Sequence, residues 1–179
     1  NRGNIYRLKG DYDHALRDFS QAIGLNATPA VPLANRGMTY SDKGDTDRAI
    51  QDFDEAIQVD ANYALAYYER GMAYTRKGEN QRAVQDFDLA VALLPGSADA
   101  WRARGVTRFA LAQFTAAEAS LRGAQQLNPA DLYTVLWLYL ARARDGRDGD
   151  ARMDLQKAAG TRNLSAWPGP AVQFYLGKI

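Results

Sequence analysis

The sequence predicts an all-α chain built from stacked helix-turn-helix units. Three observations carry that prediction. Small and aromatic residues recur at one fixed spacing, the apolar residues of each unit follow a helical period, and a glycine-centred turn divides each unit in two. Gly3, Gly37, Gly71 and Gly105 lie 34 residues apart, as do Ala15, Ala49, Ala83 and Ala117. Phe19, Phe53, Phe87 and Leu121 keep the same step, followed by Ala22, Ala56, Ala90 and Ala124. Self-similarity at such a period is the mark of a helical or propeller-like array rather than of one irregular core.

Within a unit, Ala49, Ile50, Phe53, Ala56 and Ile57 fall on one face of a helix, and the same pattern recurs at Ala15 to Ile23 and at Ala83 to Val91. A second helical stretch precedes each of these. The turns between them read Lys-Gly-Asp-Tyr-Asp (9–13), Lys-Gly-Asp-Thr-Asp (43–47) and Lys-Gly-Glu-Asn-Gln (77–81). Glycine suits the end of the first helix, and Asp13 and Asp47 are expected to cap the start of the second. Gly3, Gly37, Gly71 and Gly105 are expected to let helices approach closely against alanine, with the phenylalanine filling space between neighbouring units. A lone hairpin cannot bury its apolar face, so the units must stack. Tyr6, Tyr40 and Tyr74 form a further series that Arg108 breaks, and Pro95 and Pro129 close the third and fourth units.

These positions resemble the tetratricopeptide repeat (TPR) family over nearly the whole chain. The third unit carries Tyr67, Gly71, Tyr74, Ala83, Phe87, Ala90 and Pro95, and the fourth carries Trp101, Gly105, Ala117, Leu121, Ala124 and Pro129. The resemblance implies a right-handed α-solenoid forming a single array. Its units are a truncated 1–29, then 30–63, 64–97, 98–131 and a degenerate 132–165, with 166–179 as a breaker and the start of a further helix. In the fifth unit Tyr139 stands in the glycine slot and Arg142 in the tyrosine slot. Trp167-Pro168-Gly169-Pro170 breaks the array, and Ala171 to Ile179 reads as a new first helix with Leu176-Gly177 in the Leu-Gly slot. The chain opens in mid-helix and ends in one, as expected of a piece of a longer protein. The aromatic spacing of Leu136-Trp137-Leu138-Tyr139-Leu140, Trp167 and Gln173 to Gly177 resembles bacterial cell-envelope TPR lipoproteins. That likeness favours the periplasm or cell envelope over the cytoplasm, although no lipidated cysteine is present.

Composition narrows the chemistry. With 179 residues, 46% hydrophobic and 24% charged, the chain is one ordinary globular domain or a short array, not a disordered segment. Lys+Arg 22 against Asp+Glu 21 leaves a net charge of +1, so no basic excess points to nucleic acid. There is no cysteine and one histidine, which removes disulfides, thiolate nucleophiles and two-histidine metal sites. The apolar run Val135 to Ala141 is too short to cross a bilayer, and no signal-peptide pattern opens the sequence. His14, at the repeat position of Arg48 and Arg82, is expected to pair with Asp18 one turn on, as Arg48 with Asp52 and Arg82 with Asp86. The acidic run 145–150 lacks calcium-loop spacing and aligns with the hairpin turns at Gly10, Gly44 and Gly78. No phosphate loop occurs. Arg102, Arg104, Arg108, Arg142, Arg144 and Arg147 make the C-terminal half locally basic, with Asp99, Glu118, Asp145 and Asp148 at hand to neutralise them. No catalytic, metal or cofactor site is expected, and the chain is not read as an enzyme.

In the family the first helix of each unit lines the concave surface. The resemblance therefore assigns a protein-binding groove to Asn4, Asn35, Met38, Leu65, Tyr68, Glu69, Met72, Arg76, Arg102, Val106, Phe109, Leu136 and Trp137. Methionine and aromatic side chains there suit a ligand helix or extended peptide. Packing against neighbouring helices is the equal alternative for Tyr68, Phe109 and Trp137. A clamp for C-terminal carboxylates matches only at Asn4 and Asn35. Leu65 and Glu69 fill its last slots, and an acid there repels a carboxylate. The expected function is a non-enzymatic scaffold that binds a peptide or helix of a partner protein. Apolar anchors would supply affinity, and Asn35, Glu69, Arg76 and Arg102 would set register. The alternatives are a self-associating, homo-oligomeric assembly protein and the regulatory part of a larger enzyme.

Overall fold

A computed structural model describes residues 2–160, 164–165 and 168–177, apart from the side chain of Asp148. Trp167, Lys178 and Ile179 lie outside the described residues. The chain divides into two compact units, Asn1–Pro95 and Gly96–Ile179. The first holds α1 (Arg2–Leu8), α2 (Tyr12–Leu25), α3 (Ala30–Asp42), α4 (Thr46–Val59), α5 (Ala64–Arg76) and α6 (Asn80–Leu93). The second holds α7 (Ala98–Ala110), α8 (Phe114–Leu127), α9 (Leu132–Arg144), α10 (Asp148–Ala159) and α11 (Gly169–Tyr175). Every described element is a helix, and α1 to α10 form five helix-turn-helix hairpins.

The hairpin turns follow from one backbone conformation. Gly10, Gly44, Gly78 and Gly146 take φ of +78°, +87°, +76° and +83°. That left-handed geometry ends a helix and is costly for residues with a side chain. The next residue then begins the following helix at once. Asp45 donates its N–H to the Tyr40 carbonyl at 2.8 Å and accepts the Arg48 N–H on its carboxylate at 3.2 Å. Asp11 does the same through Tyr6 and His14. The N-caps are therefore Asp11 and Asp45, two residues before the expected Asp13 and Asp47. The immediate chain reversal at glycine moves the helix start forward. Asp13 and Asp47 instead sit in the first turn and reach the next hairpin, at 2.8 Å from Lys43 and 2.7 Å from Lys77.

Inside each hairpin a large side chain lies on the glycine of the first helix. A Cβ on Gly37 would stand 2.8 Å from Phe53 Cε1, and on Gly71 2.7 Å from Phe87 Cε1. Leu121 takes the same place over Gly105. The phenylalanine thus fills its own hairpin as well as the step to the next. Phe53 is fully buried with Leu33, Ala34 and Ala49, and also with Ala66 and Ala73 of α5. In the second unit Leu121 clusters with Leu138 and Ala141, and Val135, Tyr139 and Leu155 cluster with Val172 and Leu176 around α11.

Three first-helix arginines pair with carboxylates on the second helix of the same hairpin. Arg36 grips Asp52 with two bonds of 2.8 and 2.6 Å, Arg70 grips Asp86 at 2.8 and 2.7 Å, and Arg2 grips Asp18 at 2.7 and 2.6 Å. The expected i,i+4 partners are corrected accordingly. His14 binds Asp11 at 2.8 Å and stacks on Tyr6, Arg48 binds Asp45, and Arg82 binds Glu79. Asp52 and Asp86 are buried against the first helix, out of reach of the outer face. The expected C-terminal helix is shorter than the sequence pattern implies. Helix α11 opens at Gly169 with Pro170 in its first turn, where proline is tolerated, and ends at Tyr175, with Gly177 at φ +69°.

Two predictions follow from these contacts. Ala112 holds the hairpin-glycine slot of its unit at φ +57°. Ala112→Gly is expected to raise stability by roughly 1 kcal/mol, read as a higher Tm. Removing Arg70, 18% exposed beside an Asp86 side chain 5% exposed, is expected to cost about 3 kcal/mol. Arg2→Ala, at a pair whose arginine is 71% exposed, is expected to cost under about 1 kcal/mol. Urea denaturation of the variants checks both.

Candidate functional site

The residue after each packing glycine of a first helix, Gly3, Gly37 and Gly71, lies one step round the helix from the face that meets the second helix. Asn4, Met38 and Met72 hold that place on α1, α3 and α5 and are half-buried. Around the two methionines the first helices enclose a pocket of about 310 Å³, lined by Arg7, Met38, Ser41, Asp42, Tyr68, Glu69, Met72 and Arg76. Five of the residues expected in the groove, Met38, Tyr68, Glu69, Met72 and Arg76, therefore meet in one place. Asn4, Asn35 and Leu65 are not among its walls. Arg7, Ser41 and Asp42 are walls that the sequence reading missed. The register contained the signal for one of them, since Asp42 precedes Arg76 by the 34-residue step.

Tyr68 is braced from below by the Phe87 ring, 5.9 Å between centroids. Arg7 donates to Asp42 at 2.7 Å, and Arg76 donates to the Ser41 hydroxyl. Arg7 Nε and Asn4 Oδ1 are buried without a hydrogen-bond partner. Glu69 is half-buried and makes no hydrogen bond or ion pair among the described residues. Burial pushes its carboxyl above the ordinary range; the charges of Arg76 and Arg7 pull it back, and Asp42 adds to the rise. The walls thus combine two flexible thioethers, one aromatic ring and one carboxylate whose charged form lacks a partner.

A larger depression, about 460 Å³, lies at the hairpin turns of Lys43 to Arg48 and Lys77. Its charges are already matched, Lys43 to Asp13, Lys77 to Asp47 and Arg48 to Asp45. It offers no unmatched group and no apolar anchor, so the smaller pocket is the candidate.

The remaining expected residues lie in the second unit. Arg102 is held by Asp99 at 2.6 Å and Asp131 at 2.7 Å. Phe109 and Trp137 meet edge to face at 5.2 Å and, with Val106, pack on the Leu121 cluster, while Leu136 is buried. Phe109 and Trp137 are both packed on that cluster and half-buried. Arg104 and Arg108 hydrogen-bond Ser120 at 3.1 and 3.2 Å, and Arg142 and Arg147 converge on Glu118. Among the described residues there is no His/Cys/Asp/Glu group that would hold a metal, and no described helix is long and apolar enough to cross a membrane.

Comparison with known proteins agrees with this architecture. Family models described as TPR repeat and tetratricopeptide repeat match residues 37–78, 1–29 and 64–95. A crystal structure of MamA superposes with a TM-score of 0.81 at 26% identity, covering 89% of this chain and 94% of that one. YrrB, described as a TPR protein with an unusual peptide-binding site, gives 0.76 at 23% identity over 89% of this chain and 84% of its own. A tetratricopeptide repeat protein from Parabacteroides merdae gives 0.80 at 19% identity over 99% and 72%. No curated protein matches by sequence. These neighbours share the all-α helical-repeat solenoid fold.

The raised Glu69 titration makes a stability prediction. A carboxyl whose folded pKa lies above its unfolded value loses stability for the fold as pH rises through the folded value. Glu69→Gln is therefore expected to melt above the wild type at pH 7. The advantage should vanish on acidification below about pH 4, where the unfolded carboxyl is also protonated. Thermal melts across that range check it.

Proposed function

Because the chain belongs to the tetratricopeptide repeat family, we propose that it is a protein-binding scaffold without catalysis of its own. The pocket on α1, α3 and α5 anchors a segment of a partner protein. The observation that carries this reading is the convergence of Met38, Tyr68 and Met72 around an open pocket beside unmatched polar groups. Methionine adapts to varied ligand shapes, and a braced aromatic loses little entropy on contact. The volume is at the small end of ligand cavities, about 300–1,000 Å³. It suits an inserted side chain of a peptide or helix rather than a whole small-molecule cofactor. YrrB, on a similar fold, is described as having an unusual peptide-binding site, which supports peptide binding as a use of this fold.

The reading is tested by selecting peptides from a displayed random dodecapeptide library on the full chain. Binding is then titrated to wild type and to the double variant Met38→Ala, Met72→Ala. The selected peptides should lose about tenfold or more in affinity for the variant, with its helical circular dichroism unchanged. Equal affinity for both proteins would overturn the assignment to this pocket.

A further inference from the structure

Resting on the reading above, the chemistry of the pocket says what kind of side chain enters it. Of the two carboxylates on its walls, Asp42 is paired and Glu69 is not. Arg7 is matched by Asp42 at 2.7 Å, and Arg76 is exposed to solvent and hydrogen-bonded to Ser41. Glu69 is half-buried and has neither a hydrogen bond nor an ion pair. A second polar acceptor without a partner lies on α1, outside the pocket walls. Asn4 holds the slot on α1 that Met38 and Met72 hold on α3 and α5, and its Oδ1 is buried without a donor. With Asn4 outside the walls and the orphaned Arg7 Nε on a guanidinium already paired with Asp42, the wall group left without a partner of opposite charge or a donor is the half-buried Glu69 carboxylate.

The apolar walls narrow the donor further. Met38, Met72 and the Tyr68 ring flank the carboxylate. A group that satisfies both must carry a hydrocarbon stem with a cation at its tip, which describes lysine and arginine. A purely apolar side chain would strip water from Glu69 and leave its charge unmatched, and an acidic one would meet it with like charge. We propose that the pocket receives a lysine or arginine side chain of a partner protein segment, its stem along Met38, Tyr68 and Met72 and its cation on the Glu69 carboxylate. Glu69 then sets specificity, and the methionines set affinity. The group that burial penalises in the free protein becomes a charge-assisted hydrogen bond in the complex.

The test uses lysine-bearing peptides from the library selection and the same peptides with lysine replaced by norleucine, which keeps the stem and removes the charge. Wild type should lose about tenfold or more on that replacement. Glu69→Gln should bind the lysine peptide about as weakly as wild type binds the norleucine peptide, with no further loss when both changes are combined. Selection on Glu69→Lys should return acidic residues in place of the basic one. Circular dichroism of both variants controls for folding. If norleucine peptides bind wild type as tightly as lysine peptides, yet still need the two methionines, the cation assignment is overturned and the binding pocket stands. If selection returns no peptide that depends on Met38 and Met72, both fall. Displacement of the peptides by equimolar spermine would overturn the assignment to a protein segment.

Discussion

A ring pressed onto a glycine sets the spacing on which the rest of this structure depends. With no side chain on Gly37 or Gly71, the Phe53 and Phe87 rings lie where a Cβ would be, and the two helices of a hairpin close on them. The Phe53 ring also shares its buried cluster with Ala66 and Ala73 of the following hairpin, so the packing within that hairpin also fixes the next. Interiors at close-packed density tolerate little change of volume at such a point. Leu121 over Gly105 is the one volume change in the series. It occurs in the second unit, where Gly123 admits the Trp101 ring instead: a Cβ on Gly123 would stand 2.5 Å from Trp101 Cε3.

Close hairpins bring polar groups together that are far apart in sequence. The 16-residue offset from Arg36 to Asp52, repeated from Arg70 to Asp86, places a guanidinium opposite a buried carboxylate and joins them with two bonds. Where the carboxylate becomes Ser120, Arg104 still reaches it with one bond. The ladder neutralises the charges between helices and commits those arginines to the fold. Glu69, one residue before Arg70 and on the pocket wall, receives no help from it.

The fold was legible because repetition multiplies weak local signals. One glycine or one phenylalanine says little, but four at the same step specify a face, a turn and a partner. The pairing of charges was not legible by the same means. Helix-surface spacing points from Arg48 to Asp52, whereas burial turns Asp52 inward to Arg36 and leaves Arg48 to the N-cap Asp45 and the Tyr40 ring. Side-chain direction depends on which face is covered, and that is a tertiary fact. The pocket was half legible. The register gave Met38, Tyr68, Glu69, Met72 and Arg76, but Phe109 and Trp137, on the same kind of helix, are drawn into packing by aromatic neighbours.

Glu69 shows why the register and the chemistry must be read together. The same step along the chain from Glu69 falls on Asn35, Ala103 and Trp137, none of them charged. Three hairpins thus fold with a neutral residue at this position, so the fold has no need of a carboxylate there. Arg7 and Arg76 lie close enough to pull on its titration, yet the hydrogen bonds they make go to Asp42 and Ser41 and none to Glu69. A sequence that satisfies its local rules almost everywhere and, among the described residues, leaves the half-buried Glu69 charge unmatched concentrates that departure where a structural role is absent. The departure sits between two methionines and a tyrosine in an open pocket, and a cationic side chain from outside the fold would remove it.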